Sequence, residues 1–145
     1  MKTVSPLAVA AALIACMGQP GAQGVPINLR MGGWDTVMTT TVNGKPQVSK
    51  LKTCVTKEDL ESLRTFEKDE DCKYRWTSRT ATRITGTTRC TVDGTTRDGE
   101  IDVQIASPES YQMTSGMKIS GKVDGAVRFE MKSRWANASC KGYDD

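Results

Sequence analysis

Side chains alternate between apolar and polar along most of this chain, and the alternation is clearest between Cys72 and Cys90. If that stretch folds back about Ala81, position 72 faces 90, 74 faces 88, 76 faces 86 and 78 faces 84. Cys72, Tyr74, Trp76, Ile84, Gly86 and Cys90 then share one face, while Lys73, Arg75, Arg79, Arg83 and Arg89 share the other. A period of two, rich in Thr and aromatic residues, predicts a half-buried antiparallel hairpin. Trp76 opposite Gly86 fits this reading, because a large ring can cover the bare backbone of a facing glycine.

The same period recurs on both sides. Trp34 to Val42 reads as a strand with Trp34, Met38 and Val42 on one face, and Asn43-Gly44 closes it with a tight turn that needs positive φ at both central residues. The returning strand, Gln47 to Val55, loses its alternation between Val48 and Leu51, where a bulge is expected. Thr56 then caps a short helix, Asp59 completes a capping box and Val55 is placed to staple Leu60. Beyond the hairpin, Asp93-Gly94 and Asp98-Gly99 punctuate the chain. Three further strands point Ile101, Val103 and Ile105 inward, then Tyr111, Met113, Met117 and Ile119, then Val127, Phe129, Met131, Ser133 and Trp135. The expected fold is mainly β: an antiparallel meander of about seven strands, strongly curved or barrel-like, with one short helix.

The 145 residues suit a single domain, and 26% charged with 37% apolar residues argues against disorder and against a membrane-spanning bundle. A net charge of +3 is too mild to point to nucleic acid. Residues 1–22 read as a signal peptide, since Lys2 precedes the apolar run Leu7 to Met17, which is too short to span a bilayer. Leu13-Ile14-Ala15-Cys16 also resembles a bacterial lipobox that would lipidate Cys16. Residues 23–30 read as a linker, and 31–143 as the domain. The expectation is an exported protein, in the periplasm or as an outer-membrane lipoprotein of a bacterium, touching membrane only through a lipid anchor.

Either processing route leaves Cys54, Cys72, Cys90 and Cys140 in the domain, and four cysteines in an exported chain read as two disulfides. Three pairings exist. The favoured one joins Cys54 to Cys72, clipping the helical excursion, and Cys90 to Cys140, tying the C-terminus to the sheet. The alternative crosses the hairpin with Cys72–Cys90 and leaves Cys54 for Cys140.

The chain has no histidine, which removes Ser-His-Asp and Cys-His catalysis and the commonest metal ligand. Without a close C-x-x-C pair the cysteines favour disulfides over zinc, so neither metal nor cofactor is expected. Glu67 to Asp71 lacks calcium-loop spacing and reads as a solvated turn. Glu100 and Asp102 could suggest acid-base chemistry, but charges alternating on the wet face of a strand are ordinary. Ser115-Gly116-Met117-Lys118 matches S-x-x-K, yet in a strand positions 115 and 118 fall on opposite faces, so a serine hydrolase is the weakest alternative.

Two features remain. Met38, Met113, Met117 and Met131 on the inner face could line an adaptable cavity for an apolar small molecule, although core filling is the commoner use of methionine. Lys73, Arg75, Arg79, Arg83 and Arg89 could meet an anionic envelope component, although a solvated face that resists edge aggregation explains them too.

The chain resembles a family of small exported bacterial proteins catalogued as domain of unknown function 3617. The resemblance rests on Gly33-Trp34-Asp35 opening the first strand, Cys54-Val55-Thr56 leading into the acidic helix, and Cys72, Cys90 and Cys140 at family-like intervals. It covers residues 31 to 140. It implies export and often a lipid anchor, and carries no known activity or catalytic residue. Together these readings predict a non-catalytic envelope protein acting as a binding or interaction module, with a purely structural lipoprotein as the alternative.

Overall fold

The computed structural model of the chain describes residues 25–67 and 69–143, so the expected signal peptide and Cys16 lie outside the described residues. In chain order the elements are β1 (Gly32–Val42), β2 (Lys45–Val55), α1 (Lys57–Ser62), a 3-10 turn (Arg64–Phe66), β3 (Cys72–Arg79), β4 (Arg83–Val92), β5 (Thr95–Ser107), β6 (Ser110–Ser120) and β7 (Gly125–Asn137). The seven strands form one antiparallel sheet in the order β2-β1-β7-β6-β5-β4-β3.

From β3 to β7 the chain is the expected meander. The first hairpin departs from it, because β1 pairs with β7, the last strand. Strands β2 and β3 thus become the two edges, and they are not paired with each other, so the sheet is open and the barrel expected from the strand count is not closed. The reason lies in the connection between them. Leu63, Thr65 and Phe66 are buried on the inner face, and the Phe66 ring meets Trp76 of β3 at 6.3 Å and Tyr111 of β6 at 5.5 Å. A connection inserted between the sheet's two arms fills the space that strand pairing would need.

Local chemistry follows the sequence closely at the turns and the helix. Asn43 and Gly44 take φ of 49° and 80°, and Asp93 and Gly94 take 50° and 75°, the left-handed pairs that tight hairpins require. Thr56 accepts the Asp59 amide at 3.2 Å while the Asp59 carboxylate accepts the Thr56 amide at 2.9 Å, closing the capping box. Asp98-Gly99, by contrast, lies inside β5 and makes no turn. Glycine is needed at position 99 because a Cβ there would stand 2.5 Å from the Gly116 carbonyl oxygen, with Cγ of Met117 at 2.7 Å.

The central hairpin keeps the expected pairs Cys72 with Cys90, Tyr74 with Thr88 and Trp76 with Gly86. A Cβ on Gly86 would meet the Trp76 ring at 2.8 Å, so the ring does cover the glycine. After Trp76 a bulge shifts the register, and Ser78 faces Thr85 where Ile84 was expected. The irregularity expected in β2 is absent: its register with β1 is unbroken. Its alternation fades because β2 is an edge, with Val48 67% exposed, and Lys45, Pro46, Lys50 and Lys52 are residues that discourage further pairing.

The disulfides follow the alternative pairing, Cys54–Cys140 and Cys72–Cys90, and correct the favoured one. Cys72 and Cys90 are register partners on the inner face of a single hairpin, so neither is free for Cys54 or Cys140. Cys54 faces Gly33, and Gly33 in turn faces Asn137 across β7, which brings the chain's last residues to Cys54. Gly33 has its own constraint, since the Tyr143 ring would lie 2.7 Å from a Cβ there. The expected linker also needs correction: Ile27 and Leu29 are buried in the core, and the Arg30 amide donates to the Pro108 carbonyl at 2.9 Å.

Candidate functional site

Cross-strand register divides the inner face into rows. Nearest α1 the face is filled: Trp34, Val55, Leu63, Phe66, Ile105 and Tyr111 belong to one buried cluster. Next, Met38, Met131 and Met113 are consecutive partners across β1, β7 and β6. The row below holds Phe129, Ser115 and Ile101, then comes Met117 beside Gly99, and finally Arg97 beside Cys90.

Among the described residues no helix covers these lower rows. A cavity of about 410 Å³ occupies them, and all four methionines singled out from the sequence line it, with Leu51 of the edge strand and Phe129. That volume lies within the range of small-molecule sites, and thioether side chains adapt to irregular occupants. Sequence alternation could assign the methionines to one face; only the placement of α1 beyond them, with Phe66 closing that end of the cavity, leaves space beside them.

The polar groups on this face divide sharply. Between the filled and open halves, the Thr36 and Ser133 hydroxyls lie 2.7 Å apart, and the Tyr111 hydroxyl bonds to Ser133 and Thr65. That network is satisfied. Burial, chiefly, pushes the Tyr111 phenol above its ordinary pKa. A raised folded pKa means that this group's contribution is fully present below about 10 and is lost as pH rises through the folded value. Tyr111→Phe is therefore expected to flatten the alkaline limb of a stability-against-pH curve measured by urea unfolding. An unchanged slope above pH 10 would show that Tyr111 binds its proton equally in the folded and unfolded states, so that burial does not shift it.

Ser115 differs. It is 4% exposed and its Oγ has no hydrogen-bond partner among the described residues. A buried hydroxyl without a partner costs about 1–3 kcal/mol, so its persistence in an apolar wall needs explanation. Lys118 is exposed while Ser115 is buried, as opposite faces of β6 require, so the two form no catalytic dyad. At the cavity's far end stand the Cys72–Cys90 bridge, Asp69, Glu70 and Arg97. Asp69 and the two sulfurs lie within 4.8 Å of one another, but the sulfurs are bonded to each other and offer no thiolate to a metal. Arg97 is half-buried and has no ion pair among the described residues. Its place two residues from Gly99 and four from Ile101 on the inward side was readable from alternation, though the sequence reading did not single it out.

The outer face holds the expected basic residues, but not as one free stripe. Arg83 donates to both Asp102 oxygens, at 2.9 and 2.8 Å, and Arg89 pairs with Asp98. The Arg83 hydrogen bond, before any other cause, holds Asp102 below its usual carboxylate pKa, so this residue is an ionised clamp. Arg79, turned by the bulge, donates to the Val25, Leu60 and Glu61 carbonyls, two of which end α1. Lys73 and Arg75 remain exposed without a carboxylate partner among the described residues.

No curated protein and no solved structure matches the chain. A family profile does match, over residues 29–140, and its description is "Protein of unknown function (DUF3617)". The match takes in every strand, the helix and all four domain cysteines, and on that span the chain belongs to the DUF3617 family.

Proposed function

We propose that this domain is a binding module that takes an apolar small molecule into the methionine-lined cavity, and that it works outside the cytoplasm. One observation carries the reading: a space of about 410 Å³ beside four methionines also contains a buried serine hydroxyl with no partner. A filled core leaves neither the space nor the orphaned hydroxyl. The two disulfides support an oxidising compartment, such as the periplasm. The basic outer face is the weaker candidate, because Arg79, Arg83 and Arg89 already have partners.

The uncharged probe N-phenyl-1-naphthylamine, which fluoresces in apolar surroundings, tests this on the purified domain. The expected result is saturable fluorescence that Met113→Phe, extending a larger ring into the cavity, weakens at least tenfold while leaving the melting temperature within a few degrees. Absence of saturable fluorescence from the wild-type protein, or equal binding by the variant, overturns it.

A further inference from the structure

Resting on the cavity reading, we infer that the ligand is a single-chain amphiphile with an anionic head, whose carboxylate meets Arg97 while its aliphatic chain runs along the methionines toward Ser115. The cavity is polarised along its length. One end is walled by Met38, Met113 and Met131, and the other by Arg97. On β5, Arg97 and Ile101, the cross-strand neighbour of Ser115, are four residues apart, which is about 13 Å of strand. Met117 lies between them, over Gly99. An elongated occupant fits this path better than a round one.

Arg97 supplies the charge preference. A guanidinium presents a planar fork of donors that matches a carboxylate, and a half-buried one gains more from such a partner than a fully exposed one. Arg83 and Arg89 face outward and already have carboxylate partners, Asp102 held by two hydrogen bonds and Asp98 by one. Arg97, on the inner face, has no carboxylate within ion-pair distance among the described residues. Asp69 and Glu70 also line this end, but both are exposed, where solvent screens them, and Asp69 already accepts the Asp71 amide at 3.0 Å. At the opposite end of the path, the Ser115 hydroxyl is available to an oxygen carried on the chain.

The test measures binding of dodecanoate, dodecanol and dodecyltrimethylammonium, each below its micelle concentration, by displacement of N-phenyl-1-naphthylamine from the wild-type protein and from Arg97→Gln. Dodecanoate is expected to bind at least tenfold more tightly than dodecanol, and Arg97→Gln to bring the two to comparable affinity, with its loss falling mainly on dodecanoate. Equal affinity for dodecanoate and dodecanol overturns the anionic-head inference and leaves the cavity reading standing. Tightest binding by the ammonium compound overturns it in favour of Asp69 and Glu70. If none of the three displaces bound probe, the aliphatic ligand class itself is wrong; if the probe does not bind, the cavity reading falls with it. Arg97→Lys keeps the charge but loses the fork, and is expected to bind dodecanoate with intermediate affinity.

Discussion

Replacing Cys54 and Cys140 together by alanine is expected to lower the thermal midpoint of the domain by about 15–20 °C. The bridge joins residues 86 apart. Closing a loop of that length removes about 4.5 kcal/mol of conformational freedom from the unfolded chain, and a degree of melting temperature corresponds to roughly a quarter of a kcal/mol at this size. The other bridge spans only 18 residues within a hairpin already held by its own ladder, and its loss is expected to cost about 3 kcal/mol. The order of the two effects tells more than either alone. If Cys72→Ala with Cys90→Ala proved the more damaging pair in differential scanning calorimetry, the long bridge would not be what secures the C-terminal segment.

Trp34→Ala is expected to cost about 3–5 kcal/mol, the usual consequence of emptying a fully buried aromatic site. Trp34 has no exposed surface, its ring lies 5.3 Å from that of Tyr111, and its indole N–H donates to the Arg30 carbonyl at 3.0 Å. It thereby joins β1, β6 and the N-terminal segment at one point. Trp34→Phe keeps most of the apolar volume and loses the hydrogen bond, so it should cost far less than the alanine variant, by about the worth of one hydrogen bond plus a small void. Urea titrations at constant slope measure both. Similar losses for Phe and Ala would mean that the indole hydrogen bond, and not the ring's volume, carries the position.

Much of this fold was legible because its signals are local. Asn43-Gly44 dictates its turn, Thr56 and Asp59 dictate the helix start, and alternation assigns Trp34, Ile101, Val103 and Met131 to one face before any contact is known. What could not be read was which strands meet. Nothing in β1 or β7 marks them as neighbours, and the disulfide pairing depends on that neighbourhood, so Cys140 could be assigned only once β7 was placed beside β1. The bulge after Trp76 was equally hidden, since Thr77 and Ser78 suit either register, yet it decides that Arg79 turns to the helix carbonyls. For the candidate site, the methionines were readable as a set. The cavity beside them was not, because empty space depends on where Phe66 settles, and an orphaned hydroxyl such as that of Ser115 is defined only by what surrounds it.

The pairing of β1 with β7 also governs when the domain can be completed. As the chain emerges from its N-terminus, β1 keeps one side unpaired until nearly all of the sequence has followed, and such non-local pairing is slow. The bridges are nested, Cys72–Cys90 within Cys54–Cys140. The inner pair can close while the chain is still lengthening, but Cys54 has its true partner only at the very end. During that interval its nearest thiols in sequence are the wrong ones, so early closure of the hairpin bridge protects Cys54 from mispairing by withdrawing its competitors.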